Sequence, residues 1–404
     1  MKKNNNNSVE TENIPETTEN VTETKETAPE NIENEPKFSE LSDNIGDNQS
    51  KKNWSWKKTL LVLIGVLFLL LLILYGFIHS LFAGMREDSD AIFKQNESLE
   101  YEDVVAANED HVAEMEAAVA GLEEMDAVEA TGEVMEDDDV LNILLIGSDE
   151  RTGKYTDKAR GDSIILASIN TTNKKPVISL VSFQRGIGVP ILEGKYKGQY
   201  DWLTHTFRYG GAELLMKEVR ECFKVDVDYY VRVNFDAFEA GIDAIGGVDV
   251  YMDEAEVTYF IDGHVKEDVT VGMNHFDGRT ALAYARLREI DSDWMRIQRQ
   301  REVITSALEQ AKEMSLPALH QLLNTMLPLV KTNLTESEIT EIFLLFPQLN
   351  YIEVQQMTIP QSGTYGSMKG MGGRSLYAVD FETNAEILHD FLYNIDESEE
   401  SPPD

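Results

Sequence analysis

Between Asn142 and Ser182 three apolar runs follow one another: NILLIG (142–147), DSIILASI (162–169) and PVISLVS (176–182). Each is short, rich in Ile, Leu and Val, and bounded by polar or turn-forming residues, the pattern of buried β-strands. Downstream the pattern alternates. Gly210–Phe223 reads as a helix, Tyr229–Val233 as a strand, Phe235–Ile245 as a helix and Gly247–Tyr251 as a strand. Arg279–Ala285 opens a short helix and Asp293–Lys312 a long one. Pro317–Val330, a helix around Ser337–Phe346, a strand near Tyr351–Thr358 and a final helix near Asn384–Tyr393 follow. Strands interleaved with helices predict an α/β layered domain.

Upstream, Leu60–Ile78 is an uncharged apolar run. At about 1.5 Å per residue it spans roughly 28 Å, close to the hydrocarbon thickness of a bilayer. Globular helices are rarely apolar on every side, so a transmembrane helix is expected rather than a core helix. Lys51, Lys52, Lys57 and Lys58 precede the run with Trp54 and Trp56, and only Arg86 follows closely, amid acids. The positive-inside rule therefore leaves the N-terminus in the cytoplasm and the rest of the chain, beyond about residue 80, outside. Residues 1–50 hold twelve acids and four lysines with almost no aromatics, which predicts disorder. Residues 87–139 hold twenty acids and one lysine. There Val105, Val112, Met115, Val119 and Leu122 recur at helical spacing, interrupted by Gly121, which predicts an acidic helical stalk. A short coiled-coil contact with another chain is the alternative.

The formal net charge of −38 argues against nucleic acid as a partner, which would demand a basic face. The single cysteine, Cys222, excludes an intramolecular disulfide and lies in an apolar stretch as a buried thiol. Against this acidic background, 35 Lys and Arg in 404 residues predict one or two cations between Tyr284 and Arg301. The stretch holds five, all arginine: Arg286, Arg288, Arg296, Arg299 and Arg301. Guanidinium binds phosphate through a planar fork and keeps its charge when partly buried, so an anion site is expected.

Asp291 or Ser292 is the expected N-cap of the long helix. Ile297, Ile304, Leu308 and Ala311 fall on its core face, while Arg296 and Arg299 fall about 100° or more away, with Gln300 on the border. A solvated face with ion pairs to Glu289 and Glu302 is the competing reading. Arg286 and Arg288 precede the helix and can converge on its N-terminal end, which attracts phosphate. A second group supports the anion reading. Asp149 follows the first strand, Arg160 and Asp162 open the second, and Arg185 closes the third. Carboxylates at adjacent strand ends can share Mg²⁺, which takes one or two carboxylates and fills the remaining positions with water and phosphate oxygens. Turn and cap chemistry is their plain structural alternative.

The order NILLIGSDER, ARGDSIILASIN, VISLVSFQRG, YGGAELLMKEV, VDYYVRVNFDAFEAGIDAIGGVDV and ALAYARLREIDSDWMRIQRQR, over about residues 140–312, resembles the LytR-CpsA-Psr family. The resemblance implies an extracytoplasmic α-β-α domain behind a membrane anchor. It implies transfer of a glycopolymer phosphate from an undecaprenyl-pyrophosphate carrier to peptidoglycan, with Mg²⁺ as cofactor. Carried over by position, Asp149 and Asp162 would ligate Mg²⁺. Arg160, Arg185, Arg286, Arg288 and Arg296, assisted by Gln300, would bind pyrophosphate, and Arg185, Arg286, Arg288 and Asp293 would serve catalysis. Asp293 reads equally well as a first-turn acid stabilising the helix dipole. Arg299 and Arg301 are expected on solvated helix surface. The acyl pocket is expected along helices such as 210–223 and 235–245.

Two departures stand out. The family usually has Pro-Arg-Asp where this chain has Gln184-Arg185-Gly186, and often a lysine near where this chain has Trp202 and Thr204. A non-catalytic polyprenyl-phosphate-binding regulator of the wall and a pyrophosphatase are the other functions this pattern allows. A transcription factor is disfavoured, because the recognisable blocks lie outside the membrane and the cytoplasmic part is acidic. The chain thus divides into a cytoplasmic tail (1–50), basic flank and transmembrane helix (51–80), stalk (87–139) and the family domain (140–312). A C-terminal α/β extension (313–395) and a disordered tail (396–404) complete it.

Overall fold

A computed structural model describes residues 109–150, 159–171, 176–345 and 352–393, with scattered positions between 64 and 101. Its centre is the set of three apolar runs. They form β1 (Val140–Ser148), β2 (Gly161–Asn170) and β3 (Val177–Phe183), joined as antiparallel neighbours. β6 (Tyr229–Val233) pairs parallel to β1, and β10 (Glu353–Ile359) pairs parallel to β3. β9 (Lys331–Thr332) closes the far edge, giving the order β10-β3-β2-β1-β6-β9.

Alternation along the strands feeds two cores. Leu144, Ile146, Ile164 and Leu166 meet Phe207, Leu215, Val219 and Phe223 of α2 (Leu203–Phe223) and Phe381 and Leu388 of α9 (Phe381–Tyr393). Leu145, Ile165 and Leu180 face the other way, against Ile304 of α6 (Asp293–Lys312) and Ile352. Beyond α6 lies another layer: α3 (Phe235–Ala244), the hairpin β7 (Val248–Met252) and β8 (Gly272–Phe276), α4 (Glu254–Asp262) and α5 (Gly278–Ala285). Val248, Val250, Phe260, Phe276, Tyr284 and Val303 make its core, with Phe260 stacked on Phe276 at 5.8 Å. The expected α-β-α layering is present.

Several elements depart from the sequence reading. The helix expected from Gly210 begins at Leu203 and is broken at Gly210–Gly211, where Gly211 takes φ 68°, a conformation that favours glycine. The hairpin of β4 (Gly188–Pro190) and β5 (Tyr200–Trp202) was not anticipated, nor was that of β11 (Tyr365–Lys369) and β12 (Ser375–Val379). The C-terminal region is no appendage. β10 is a sheet strand and α9 packs in the main core beside Phe223, 5.2 Å from Phe381.

The expected stalk also differs. Its described part holds one helix, α1 (Glu109–Val119), which stops before Gly121 at φ 87°. The following stretch runs extended across the domain, bridging Glu124 to Ser367, Val128 to Asp380 and Met135 to Val225. Met115 and Val119 are buried, so this segment is fastened to the fold. Further upstream, Met85 is buried against Leu327 and Val330, and its carbonyl accepts from the Thr332 N–H at 3.0 Å. The tails 1–50 and 396–404 lie outside the described residues, as does most of the Leu60–Ile78 run. Its described positions, Ile64 and Leu69 among them, are helical and exposed. Among the described residues no helix is long and apolar enough to cross a membrane.

Candidate functional site

Topology brings the site together. β1, β3 and β6 run the same way, so their C-terminal ends share one edge of the sheet with the start of antiparallel β2. That edge carries Asp149, Arg160, Asp162 and Arg185. The N-terminal turn of α6 adds Asp293 and Arg296, and the end of α5 adds Arg286 and Arg288.

Arg160 grips Asp149 with Nε at 3.0 Å and Nη2 at 2.7 Å, and the same Nη2 lies 3.7 Å from Asp162. Arg185, 2 % exposed, reaches Asp162 at 3.4 Å and Asp293 at 2.7 Å. Arg296 reaches Asp293 at 2.9 Å and donates to the Asp162 carbonyl at 3.3 Å. Arg286 lies over the Phe235 ring, 4.4 Å from its centroid. Gln300 accepts from Ser163 at 3.0 Å and donates to the Ala285 carbonyl at 3.4 Å.

Opposing charges decide the protonation states. Burial disfavours the charged Arg185, yet Asp293, Asp162 and Glu114 outweigh it and hold its pKa above the usual value. For Arg296 burial and the neighbouring Arg185 win, lowering it to about 10, still cationic at neutral pH. Burial works against the Asp293 carboxylate too. Arg185 and Arg296 overcome that and hold it below the usual carboxylate range. Asp293 is thus the central counter-ion of the cluster, more than a first-turn acid. Buried Nε atoms of Arg185 and Arg296 have no hydrogen-bond partner among the described residues.

Arg160, Arg286, Arg288 and Arg296 line a cavity of about 750 Å³. Asp149, Asp162 and Gln300 join them in the polar lining, and Leu145, Phe235, Phe238, Tyr259, Phe260 and Leu282 belong to the apolar lining. Helix 235–244 supplies Phe235 and Phe238 as expected. Helix 210–223 does not contribute, because its apolar face is consumed by the main core. α4 and α5 take its place.

Arg299 and Arg301 are not solvated surface. Arg299, 2 % exposed, pairs with Asp291 and with Glu256 at 2.6 Å, and donates to the Leu287 carbonyl at 2.9 Å. Arg301 donates to Gln356 and the Met357 carbonyl, each at 3.1 Å, and so joins α6 to β10. Ser292 is the N-cap position but makes no side-chain cap bond. The two departures from the family pattern have packing explanations. A Cβ added at Gly186 would lie 3.1 Å from the Tyr377 ring and 3.2 Å from Met115, so an aspartate there would require these neighbours to give by a few tenths of an ångström. Trp202 is 1 % exposed and donates to the Ser375 carbonyl at 3.0 Å, while Thr204 donates to the Gly161 carbonyl at 2.9 Å.

Sequence reasoning missed two members of this neighbourhood. Glu114 of α1 accepts from Arg288 at 2.9 Å and lies 3.9 Å from Arg185. The fully buried Arg232 pairs with Glu150 and lies 4.8 Å from the centroid of the Phe207 ring. Glu114 was hidden in an acidic tract, and the Arg232–Glu150 pair joins residues distant in sequence. Among the described residues no group of three His, Cys, Asp or Glu side chains is placed to hold a metal by itself.

Fold and cavity together define a mixed α/β protein with a cluster of arginines and carboxylates at one sheet edge, beside a cavity of mixed polar and apolar lining. The chain belongs to the LytR_cpsA_psr family, whose model matches residues 103–390. It is 33% identical over 225 residues to a Bacillus subtilis (strain 168) protein, covering 54% of this chain and 68% of that relative. The relative is named polyisoprenyl-teichoic acid–peptidoglycan teichoic acid transferase TagT. A Bacillus anthracis TagU, named for the same transfer, is 33% identical over 210 residues, covering 51% of this chain and 65% of its own length. The matches therefore span about two thirds of these relatives. Among solved structures, TagT bound to LI-WTA aligns with a TM-score of 0.52 at 27% identity, covering 67% of this chain and 98% of that one. B. subtilis TagT aligns with a TM-score of 0.50 at 26% identity, covering 67% and 96%. The relatives' names place them among the glycopolymer–peptidoglycan transferases, the enzyme class expected from the sequence.

Proposed function

We propose that this protein is a membrane-anchored phosphotransferase. It moves a glycopolymer phosphate from an undecaprenyl-pyrophosphate carrier to a sugar hydroxyl of peptidoglycan at the outer face of the cell membrane. The observation that carries this reading is the cavity itself: about 750 Å³, lined by many apolar side chains together with Arg160, Arg286, Arg288 and Arg296. An isoprenoid tail suits the apolar side chains and a pyrophosphate the arginines. The relatives' named activities support the donor and acceptor classes. The apolar run Leu60–Ile78 and its lysine flank support the anchor and its orientation.

Mg²⁺ fits the donor set. The Asp149 and Asp162 carboxylates already share one positive group, Nη2 of Arg160, at 2.7 and 3.7 Å. Two hard oxygen donors leave places for water and phosphate oxygens. When bound, the ion would neutralise charge on the pyrophosphate. Arg286 and Arg288 would grip the head group. Arg185 and Arg296, themselves held by Asp293, would fix the phosphate to be transferred. The acceptor hydroxyl oxygen attacks the phosphorus distal to the lipid and its O–P bond forms. The bridging P–O bond breaks, lipid monophosphate leaves, and the hydroxyl proton passes to solvent. Such chemistry requires positioning and charge neutralisation more than covalent help.

The test uses the full chain in detergent with Mg²⁺, a prenyl-pyrophosphate-linked saccharide and peptidoglycan oligomers, with products read by mass spectrometry. A covalent saccharide–peptidoglycan phosphodiester is expected. Arg185→Ala and Asp162→Ala should each slow its formation by roughly 10²–10³-fold. Lipid binding without product would leave a binding regulator, and phosphate release without adduct would indicate a pyrophosphatase.

A further inference from the structure

Glu114 sits where the proposed reading places an anion. Its carboxylate accepts from Arg288 at 2.9 Å and lies 3.9 Å from Arg185. A carboxylate on guanidinium groups is the chemical stand-in for a phosphate, since both present oxygens to the same planar donors. The position is built. On α1, Met115 is buried beside Trp202 and Leu376, and Val119 is buried in the main core. Met115 also packs over Gly186, next in sequence to Arg185.

The site has a direction. Arg286 lies on Phe235, a ring of the apolar lining, so it marks the lipid side. Arg288 also lines the cavity, but Arg185, Asp293 and Glu114 stand outside the lining. Arg286 and Arg288 line the cavity while Glu114 and Arg185 do not, so a phosphate attached directly to an apolar tail in the cavity meets Arg286 and Arg288 before the ground held by Glu114. A phosphate attached directly to an isoprenoid would fill the inner part. Only a second phosphate, farther from the lipid, would reach Glu114.

We propose that Glu114 is a specificity-determining residue. Its carboxylate occupies the seat of the phosphate remote from the lipid when that seat holds no ligand, and competes with that phosphate for Arg288 and Arg185. The proposal rests on the lipid-pyrophosphate reading of the cavity. Its consequence is directional. After transfer, the product lipid monophosphate fills only the inner seat, and Glu114 reoccupies the outer one. The transferred phosphodiester is thereby kept from rebinding.

Equilibrium binding of geranylgeranyl pyrophosphate and geranylgeranyl monophosphate to the full chain tests this, in wild type, Glu114→Gln and Met115→Ala. Glu114→Gln should tighten pyrophosphate binding roughly tenfold by removing a nearby like charge, and leave monophosphate binding within about twofold. Met115→Ala, which loosens α1 but keeps the carboxylate, should not reproduce that split if Glu114 acts by its charge. Equal shifts for both ligands, no shift, or weaker pyrophosphate binding in Glu114→Gln would overturn the proposal. If wild type binds neither ligand, the lipid-pyrophosphate reading itself fails, an outcome distinct from an unchanged ratio.

Discussion

Asp293 is the residue on which the cluster turns. It bonds Arg185 at 2.7 Å and Arg296 at 2.9 Å, both almost fully buried, so removing its charge takes from each its nearest counter-ion. Asp293→Asn is predicted to destabilise the protein by roughly 3–5 kcal/mol at neutral pH, measured by urea unfolding. The sign with pH follows from its lowered pKa. Its contribution is present above the unfolded value of about 3.9 and is lost as pH falls through the lower folded value. The gap between wild type and variant should therefore narrow between pH 7 and pH 3, and an equal gap at both would contradict the assignment. The same scale explains Arg299. Set against Glu256, Asp291 and a backbone carbonyl, it joins α4 to α6 rather than facing water.

At the scale of elements, α6 shows why sequence reading succeeded and where it stopped. Its span, Asp293–Lys312, was legible from apolar spacing, as were β1, β2 and β3 from their dense Ile, Leu and Val, and β6 from its Tyr and Val. The helix nevertheless lies between the sheet and the β7–β8 layer, with Ile304 toward one and Val303 in the other. A helix buried on two sides conceals part of its arginine row, and one amphipathic stripe cannot reveal that. The short strands β4, β5, β8, β11 and β12 were missed because, apart from one valine each in β4 and β12, they carry no β-branched residue, whereas β6 and β7, of five residues, hold two valines each. The strand-end residues Asp149, Arg160, Asp162 and Arg185 were legible because each abuts a clear strand. Glu114 was not, because its partners lie far along the chain. For the cavity, Leu282→Trp in α5 is predicted to weaken geranylgeranyl pyrophosphate binding by at least about tenfold. Inorganic pyrophosphate binding, measured by calorimetry, should stay within about twofold, since Leu282 belongs to the apolar lining and makes no polar contact for the head group.

Seen whole, the molecule gathers its site from segments spread over most of its described length. Glu114 arrives on α1, Asp149 and Asp162 at strand ends and Asp293 on α6, while β10 completes the sheet beside β3. The family match over residues 103–390 agrees with this extent, which takes in the expected stalk from residue 103 and the C-terminal region as far as residue 390. Against a net charge of −38, the arginine cluster is a local concentration of positive charge, the feature on which the proposed anion site rests. The central claim is that this cavity holds a lipid pyrophosphate, tail inward. The most direct measurement is photo-crosslinking of the full chain with a prenyl pyrophosphate carrying a diazirine near the tail end, with adducts mapped by mass spectrometry. The account predicts adducts on Phe238, Tyr259 and Leu282 that inorganic pyrophosphate suppresses. Adducts confined to helix 203–223 or scattered over the surface, indifferent to pyrophosphate, would contradict it.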